Sequence, residues 1–445
     1  MRWLADLVYL IGAVFYLPVL VYQMLAQGKN RRGWRQRFGH WSIRLGGRRR
    51  IWIHAVSLGE INATPVLVGE LERRLPDCRV IISTTTDTGY ARACKLYGSE
   101  RVFRYPLDFS RVVSRVLKRV QPALIVLVEL EVWHNLVRTA ARRGVPVAVV
   151  NGRLTERSRR RFARLGPVAR AMFGDLAWVG AQDETIARRF VDLGTPSDRV
   201  EVTGSVKWDT TTVADTIDGA DELAAALGID AEVPMWVCGS TGPGEEALIL
   251  DAHAALLEAG LSFRLAVVPR KPERFDEVAD LIRRRGYRCI RRSQLQACAG
   301  ATPRGLKPAA HKTGAAVETA DTARIVILGD TMGELRKFYC LARAVFVGRS
   351  LVAMGGSDPM EAAALAKPII VGPHTDNFAA PVAALAEVGS LGVVHNADEL
   401  AVAVRQLIAD PRAACDKGRR AQQVVRDKQG ATDRNVDRLV GLMRG

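Results

Sequence analysis

The chain has 445 residues, of which 48% are hydrophobic and 25% are charged. This composition supports packed cores and excludes wholesale disorder, and the length allows two or three domains. The 64 Lys and Arg residues outnumber the 47 Asp and Glu residues, which gives a net charge of +17 and predicts an anionic partner. The seven cysteines form no Cys-x-x-Cys pair, so neither a disulfide framework nor a metal site is expected.

The N-terminal region combines a long apolar run with a cluster of basic residues. Residues 7–26 form an almost uninterrupted apolar stretch, about the 20 residues that a helix needs to cross the hydrocarbon of a membrane. The residues that follow are basic, namely Lys29, Arg31, Arg32, Arg35 and Arg37. Such charge holds the following chain on the cytoplasmic side and attracts anionic lipids. We therefore predict a membrane-anchor helix at 1–28, which either crosses the membrane or lies in its interface. A buried hydrophobic hairpin is the alternative, and a signal peptide is disfavoured because no small-residue cleavage site follows.

The rest of the chain alternates short apolar strands with helical stretches, in two series. The strands predicted for the first series are Ile51–Ala55, Val80–Thr84, Leu124–Glu129, Val145–Asn151 and Leu176–Ala181. Those of the second series are Met235–Gly239, Arg264–Val268, Tyr287–Ile290, Ile325–Leu328, Ala344–Val347 and Pro368–Val371. Nearly continuous apolar strands between helices predict parallel sheets that are covered on both faces.

This pattern predicts an α/β protein of two Rossmann-like, doubly wound domains, at 29–212 and 213–428, followed by a C-terminal helix at 429–445. Two such domains are expected to face each other across a cleft at the carboxyl ends of their strands. No G-x-G-x-x-G follows the first strand and no G-x-x-x-x-G-K-[ST] is present. These absences disfavour a dinucleotide-dependent dehydrogenase and a P-loop NTPase.

Glycine-bearing turns follow three predicted strands of the second domain, at 238–246, 329–335 and 355–361. Each is expected to present free backbone N–H groups at the positive end of a helix, an arrangement that suits a phosphate. A single glycine-bearing turn of this kind commonly does no more than connect a strand to the next helix. Three of them in one domain predict a nucleotide with one or two phosphates.

The first domain offers acidic candidates for proton transfer. Glu60 falls at the start of a helix, where its charge either caps the helix or takes a proton from an attacking hydroxyl. Glu129 and Glu131 lie two residues apart at a strand end and point the same way; Arg153, at the next strand end, is the expected cationic partner. The alternative for these acids is a structural salt-bridge network. His54 is expected to be a hydrogen-bonded strand residue rather than a base.

Several longer motifs follow one another along nearly the whole chain. They are His54–Glu60, Ser83–Gly89, Tyr105–Asp108, Glu129–Asn135, Asn151–Ser158, Gly204–Asp209, Val268–Phe275, Gly329–Leu335 and Gly372–Phe378. Together they resemble the motifs of the 3-deoxy-D-manno-octulosonic acid (Kdo) transferases. The resemblance implies an inverting glycosyltransferase of the two-domain GT-B fold, which moves Kdo from CMP-Kdo to the lipid A precursor (lipid IVA) in lipopolysaccharide biosynthesis. It also implies a place at the inner membrane, with the catalytic domains on the cytoplasmic side, and no metal ion or other cofactor.

The resemblance also implies roles for individual residues. Glu60 would be the general base and Glu129 a second essential acid. The residues implied to bind the acceptor are Ser57, Gly59, Arg153 and Arg157. Those implied to surround the CMP group are Ser240, Pro269, Arg270, Met332, Gly333, Glu334, Glu361 and Asn377. The expected partners are therefore CMP-Kdo, the lipid A precursor and anionic lipids; nucleic acid is not expected, because no binding module is recognised.

Three places in the second domain depart from the family's usual residues. Gly242-Pro243 occupy the positions where the family usually has His-Glu, and Lys271 occupies the position of a His. Ser357-Asp358 occupy the positions where the family usually has His-Asn. All three lie in the half that is implied to bind the donor. The alternatives are a divergent relative that uses another CMP-linked acid sugar, a transferase of UDP- or GDP-sugars, and a catalytically inactive, membrane-bound lipopolysaccharide-binding protein.

Overall fold

The computed structural model describes residues 2–26, 32–40, 47–229, 233–299 and 324–444. The chain divides into two compact units: the first consists of Met1–Thr210 and Lys428–Gly445, and the second of Thr211–Asp427. Each unit contains one seven-stranded sheet, and all of the strand pairs are parallel. The predicted α/β class with two parallel sheets is therefore confirmed.

The sheet of the first unit has the strand order β3-β2-β1-β4-β5-β6-β7. Its strands are β1 (Arg49–His54), β2 (Cys78–Thr84), β3 (Val102–Arg104), β4 (Pro122–Val128), β5 (Val147–Gly152), β6 (Trp178–Ala181) and β7 (Val200–Val202). The helices up to β7 are α1 (Arg2–Leu25), α2 (Trp34–Arg37), α3 (Leu58–Arg74), α4 (Asp87–Tyr97), α5 (Ser110–Val120), α6 (His134–Ala141), α7 (Glu156–Ala163), α8 (Pro167–Gly174) and α9 (Glu184–Asp192).

The sheet of the second unit has the order β10-β11-β9-β8-β12-β13-β14. Its strands are β8 (Met235–Thr241), β9 (Arg264–Pro269), β10 (Arg288–Arg291), β11 (Ile325–Leu328), β12 (Ala344–Val347), β13 (Ile369–Val371) and β14 (Leu391–Val393). The remaining helices are α10 (Ala220–Leu227), α11 (Glu245–Glu258), α12 (Phe275–Arg284), α13 (Arg292–Ala299), α14 (Leu335–Leu341), α15 (Met360–Ala363), α16 (Ala379–Glu387), α17 (Ala397–Ala409), α18 (Pro411–Lys428) and α19 (Ala431–Arg444). Helix α19 belongs to the first unit.

Strand β1 shows how the first sheet is covered on both faces. Ile51, Trp52 and Ile53 are fully buried, and successive side chains of a strand point to opposite faces. The Trp52 and Phe103 rings pack with centroids 5.4 Å apart on one face. On the other face, Ile51 and Ile53 belong to a cluster that includes Leu439 of α19. The last helix of the chain thus contributes to the core of the first unit.

The strand order of each sheet reverses once, between β1 and β4 in the first unit and between β8 and β12 in the second. At such a switch point, the connections leave neighbouring strands in opposite directions and open a crevice at the carboxyl ends. In the first unit, Ser57 and Glu60 follow β1 and Glu129 follows β4. In the second unit, Ser240 lies at the end of β8 and Arg349 follows β12. The fold therefore places the candidates Ser57, Glu60, Glu129 and Ser240 at the two switch points.

Helix α1 is attached near its start and is exposed along much of its length. The Asp6 carboxylate accepts hydrogen bonds from the Ser110 backbone N–H (2.8 Å) and the Asn135 side-chain amide (3.0 Å). Further along, large apolar side chains such as Phe15 and Leu25 are exposed by 80% and 74%. Within the described ranges, no helix combines the length and the apolar character needed to cross a membrane. A spanning helix, one of the two forms predicted for residues 1–28, is therefore not supported.

Candidate functional site

Glu60 occupies the third position of α3, where it forms a capping box with Ser57. Its carboxylate accepts hydrogen bonds from the backbone N–H groups of Val56 (2.8 Å) and Ser57 (3.3 Å), and from the Ser57 hydroxyl (2.8 Å). Burial raises the pKa of Glu60 and the charge of Glu129 raises it further, while these hydrogen bonds oppose the rise. Capping therefore fixes the carboxylate in place, and burial makes it more basic than an exposed glutamate.

Glu129 and Glu131 follow β4 beside Glu60. Burial raises the pKa of Glu131, and the charges of Glu60 and Glu129 add to that rise although the Trp133 indole donates to this carboxylate (2.9 Å). Lys207 places its Nζ 3.5 Å from the Glu129 Oε1. Three carboxylates of the first unit thus interact electrostatically at the switch point, with an ammonium group beside one of them.

His54 lies beneath this cluster at the end of β1 and is fully buried. Its Nδ1 is within hydrogen-bonding distance of the Ser83 hydroxyl (3.0 Å), and its ring stacks on Tyr105 with centroids 3.8 Å apart. Burial lowers the pKa of His54 to about 3, so the imidazole is neutral near pH 7. Its Nε2 lies 3.8 Å from the Glu131 Oε2. The expectation of a hydrogen-bonded strand histidine agrees with this geometry.

Lys207 contacts Glu129; it lies in the Gly204–Asp209 motif, but the sequence did not indicate that it pairs with this acid. The loop of Lys207 is held by Asn151, whose side-chain oxygen accepts from the Val206 backbone N–H (3.3 Å). Arg153 was the expected partner; its side chain is exposed, and its backbone N–H donates to the Glu129 carbonyl (3.4 Å). The pairing expected from chain order is therefore corrected in favour of Lys207, because Asn151 brings in a loop that is distant in sequence.

The predicted acceptor residues fall into two groups within the first unit. Ser57 and Gly59 belong to the turn that presents Glu60. Arg157 lies on α7, where four arginines and one acid line an open cavity of about 460 Å³: Glu156, Arg157, Arg160, Arg161 and Arg164. The cavity is cationic and suits an anionic group.

The eight residues predicted for the nucleotide all belong to the second unit. They lie near or after the ends of parallel strands, and so along one edge of the sheet: Ser240 is the penultimate residue of β8; Pro269 ends β9 and Arg270 follows it; Met332, Gly333 and Glu334 follow β11; Glu361 follows β12; and Asn377 follows β13. Burial raises the pKa of Glu361, and the nearby Arg336 and Arg270 guanidinium groups oppose the rise. Met332 is 71% exposed. This edge of the sheet therefore combines an exposed apolar side chain (Met332), a cation (Arg270) and an acid (Glu361).

The turn at 238–246 does not present all of its backbone N–H groups to a ligand. Glu245, at the start of α11, is fully buried. Its carboxylate accepts hydrogen bonds from four backbone N–H groups: Gly242 (2.9 Å), Arg349, Ser350 (2.7 Å) and Leu351 (2.9 Å). The expectation of a free N–H at Gly242 is wrong, because the chain's own carboxylate occupies the position that was expected for a phosphate.

Two acids after β11 are also paired within the second unit. Asp330 accepts from the Ser293 backbone N–H (2.7 Å) and the Arg291 Nε (2.6 Å). Glu334 accepts from the Arg292 Nε (3.1 Å). Burial favours a higher pKa for Glu334, but hydrogen bonds from Arg292 and a neighbouring threonine outweigh it and hold the pKa below its usual value. Glu334 is therefore an ionised, ion-paired carboxylate.

Unusual backbone conformations mark both switch points. Glu129 (φ 62°), Asn151 (φ 53°), Ser240 (φ 56°) and Arg349 (φ 60°) have positive φ angles, which residues other than glycine seldom adopt. Such conformations persist only where the surroundings enforce them, and they cluster at functional sites. This signal depends on the backbone alone and could not be read from the sequence.

Comparisons with known proteins agree with the motifs. Residues 32–210 match the family described as 3-Deoxy-D-manno-octulosonic-acid transferase (kdotransferase). The 3-deoxy-D-manno-octulosonic acid transferase of Haemophilus influenzae is 34% identical over 392 residues, which cover 87% of this chain and 86% of that protein. The enzyme of the same name from Bordetella pertussis is 33% identical over 404 residues, with coverage of 87% and 86%.

Solved structures resemble the fold of the chain. The UDP-GlcNAc 2-epimerase from Neisseria meningitidis, bound to UDP-GlcNAc, superimposes with a TM-score of 0.51 at 14% identity. The superposition covers 88% of this chain and 100% of the epimerase. At that identity the likeness concerns the fold alone.

Proposed function

The chain belongs to the 3-deoxy-D-manno-octulosonic acid (Kdo) transferase family of glycosyltransferases, and from this premise we propose that it moves Kdo from CMP-Kdo to the lipid A precursor, lipid IVA. The observation that carries the proposal is the carboxylate cluster of Glu60, Glu129 and Glu131 at the switch point of the first unit. Burial and mutual repulsion raise the pKa of Glu60, and a base with a raised pKa accepts a proton more readily at neutral pH.

Glu60 is the general base of the proposed reaction. A carboxylate offers about four lone-pair positions, and Val56 and Ser57 donate to Glu60 from three directions. One position is left for the hydroxyl of an acceptor sugar. Capping and catalysis are therefore compatible, because the helix turn aims the carboxylate and leaves it able to take one proton.

The bond changes of the proposed transfer are simple. Glu60 takes the proton of the acceptor hydroxyl, whose oxygen forms a bond to the anomeric carbon of Kdo. The bond from that carbon to the phosphate oxygen of CMP breaks, and its electron pair leaves with CMP. Attack opposite to the leaving group inverts the anomeric configuration. In this proposal Arg270 stabilises the departing phosphate electrostatically and no metal ion is required.

We further propose that the protein works at the cytoplasmic surface of the inner membrane. Helix α1 exposes large apolar side chains, and the chain carries a net charge of +17. An exposed apolar helix with nearby basic residues binds an anionic membrane surface. Co-flotation with vesicles that contain phosphatidylglycerol tests this location, and recovery of the protein away from the vesicles would contradict it.

The function is tested by incubating the purified protein with CMP-Kdo and lipid IVA and measuring the product by mass spectrometry. We expect mass increments of one or more Kdo units, and their loss in Glu60→Gln. Transfer from a different CMP-linked acid sugar, but not from CMP-Kdo, would identify the divergent relative. Lipid IVA binding without any transfer by the folded wild-type protein would favour the inactive binding protein.

A further inference from the structure

A second cationic cavity lies in the first unit, away from the carboxylate cluster. It has a volume of about 600 Å³, and its lining comes from the segment that begins α2, from the first two turns of α4 and from the end of β3: Arg32, Gly33, Gln36, Asp87, Tyr90, Ala91 and Arg104. Arg32 belongs to the basic cluster expected to attract anionic lipids and Asp87 lies in the Ser83–Gly89 motif, but no residue of this cavity was expected to bind the acceptor or the nucleotide. The cavity therefore needs its own explanation.

Arg104 is the central residue of this cavity and is only 5% exposed. Its guanidinium stacks on Tyr90, with the central carbon 4.3 Å from the ring centroid, and its Nη2 pairs with the Asp87 Oδ1 at 2.5 Å. Gly33 packs so closely that a Cβ there would lie 2.8 Å from the Arg104 side chain. Within the described ranges, the buried Nη1 of Arg104 has no hydrogen-bond acceptor. The guanidinium is thus held rigidly with one donor group unused.

The charges around the cavity do not balance. Arg37 does not line the cavity but interacts electrostatically with Arg104 and Asp87, and it is 7% exposed; burial lowers its pKa, and the nearby charge of Arg104 lowers it further. Arg32 adds a third, exposed guanidinium. Asp87 is the acid among the lining residues. Three cations against one anion leave a local excess of two positive charges, and buried charge is costly without a partner.

We propose that this cavity is a binding site for a phosphate group, with Arg104 and Arg32 as the residues that contact it. A phosphate ester offers close to two negative charges and several acceptor oxygens, which match the charge excess and the unused Arg104 donor. A hydrogen bond from a guanidinium to such a group is charge-assisted and therefore stronger than one between neutral groups. Helix α4, whose first turns line the cavity, adds the positive end of its dipole.

The cavity lies on the same edge of the sheet as the carboxylate cluster. Glu60 follows β1 and Arg104 ends β3, with β2 between them, so the two strands are roughly 10 Å apart. A phosphate on the acceptor sugar can supply the ligand, an assignment that depends on the proposed function. The head group of an anionic phospholipid is the other source of the same chemistry.

The test measures protection of single arginines rather than transfer, so its result is separate from that of the proposed function. The full-length protein is treated with phenylglyoxal, with and without inorganic phosphate, and modification of each arginine is measured by peptide mass spectrometry. We expect phosphate to protect Arg32. Arg188, an exposed arginine of α9, is the control within the same sample and is expected to remain unprotected. Equal protection of the two arginines, or protection of neither, would overturn the proposal.

Two substitutions have opposite expected effects on the phosphate concentration that protects Arg32. Arg104→Gln removes a charge-assisted hydrogen bond, so affinity is expected to fall about tenfold or more. Asp87→Asn removes the opposing charge, so affinity is expected to rise. A folding defect cannot increase affinity, so Asp87→Asn decides the matter if Arg104→Gln does not fold. Weaker protection in Asp87→Asn would overturn the proposal.

The source of the phosphate is identified with two further probes. Glucosamine 1-phosphate represents a soluble sugar phosphate, and phosphatidylcholine vesicles with or without phosphatidylglycerol represent a membrane surface. Protection of Arg32 by the sugar phosphate supports the acceptor, and protection only by the anionic vesicles supports the lipid head group. Either result supports the site, provided that Arg104→Gln weakens the protection; protection that is indifferent to Arg104→Gln would contradict it.

Discussion

The carboxyl edges of the two sheets both carry acids, half-buried in the first unit and buried in the second, and the two sets have different surroundings. In the first unit, Glu60, Glu129 and Glu131 repel one another, and Lys207 approaches one of them at 3.5 Å. In the second unit, Glu245 accepts hydrogen bonds from four backbone N–H groups. Asp330 and Glu334 of the same unit are paired with arginines. The first arrangement leaves carboxylates with few donors, as the proposed proton transfer requires, whereas in the second the carboxylates hold loops in place.

This difference shows that burial alone does not identify a catalytic acid. Glu245 is more buried than Glu60, and burial raises the pKa of both carboxyl groups. The hydrogen bonds distinguish them, because those of Glu245 come from two separate turns whereas those of Glu60 come from its own turn. Replacement of Glu245 should therefore affect folding first, and replacement of Glu60 should affect the reaction first.

The largest expected effect is that of Glu60→Gln on the turnover number. An amide cannot accept the proton of the acceptor hydroxyl, so kcat should fall by about 10²–10⁴-fold. One oxygen is retained, but the donors of Val56 or of Ser57 lose their acceptor, so the melting temperature should fall, though less than in a substitution at the fully buried Glu245. Glu70→Gln, a substitution in the same helix whose native carboxylate pairs with Arg73 and Arg74, is the matched control and should leave kcat unaltered. Full activity of Glu60→Gln would contradict the proposal that the carboxylates of the first edge serve proton transfer while those of the second edge hold loops.

Glu245→Gln should lower the free energy of unfolding by about 3 kcal/mol, as measured by urea denaturation. The amide NH₂ group would replace a carboxylate oxygen that now accepts hydrogen bonds from backbone N–H groups. These buried donors would lose their acceptor. The turns at Ser240 and Arg349 should loosen, and KM for CMP-Kdo should rise more than kcat falls. Glu258→Gln, at the exposed end of the same helix, is the control. Unaltered stability of Glu245→Gln would show that this carboxylate does not hold the loops.

The sequence predicted most of the sheet architecture, and the strands that it missed have a common reason. β3, β7 and β14 each contain three residues, and each lies at an edge of its sheet. A three-residue strand is too short to show a period; β13, which also has three residues, was predicted because all three are apolar. The long central strands, such as β4, were identified because seven residues in succession are mostly apolar.

The site was predictable only where its residues follow those long strands. Glu129 stands directly after β4, and Glu60 lies in the first turn of the helix that follows β1, so strand ends and helix starts indicated them. Lys207 reaches Glu129 from a loop 78 residues further along the chain, because Asn151 holds that loop. Glu245 was hidden within a glycine-bearing turn that suggested a phosphate site. Contacts of this kind depend on tertiary packing, which no local pattern contains.

Glu129→Gln should shift the pH dependence of the residual activity. The charge of Glu129 raises the pKa of Glu60, so removing that charge should lower the pKa of the base. The base is active when deprotonated, and kcat/KM therefore falls on the acidic side; in Glu129→Gln that fall should begin at a lower pH. A matched pH series on Glu70→Gln should superimpose on the wild type. A fall that begins at a higher pH would contradict the electrostatic account of the cluster.

The smallest expected effect is that of Lys207→Met on stability. The Lys207 side chain is 40% exposed and its Nζ lies 3.5 Å from Glu129, so solvent screens the pair and its loss should cost under about 1 kcal/mol of unfolding free energy. Its effect on the reaction should be larger than on stability, because the carboxylate cluster would lose its nearby cation and repel a negatively charged donor more strongly. We expect KM for CMP-Kdo to rise while the urea midpoint stays nearly the same. A fall in the urea midpoint with unaltered kinetics would make Lys207 a structural residue, and the first edge would then resemble the second.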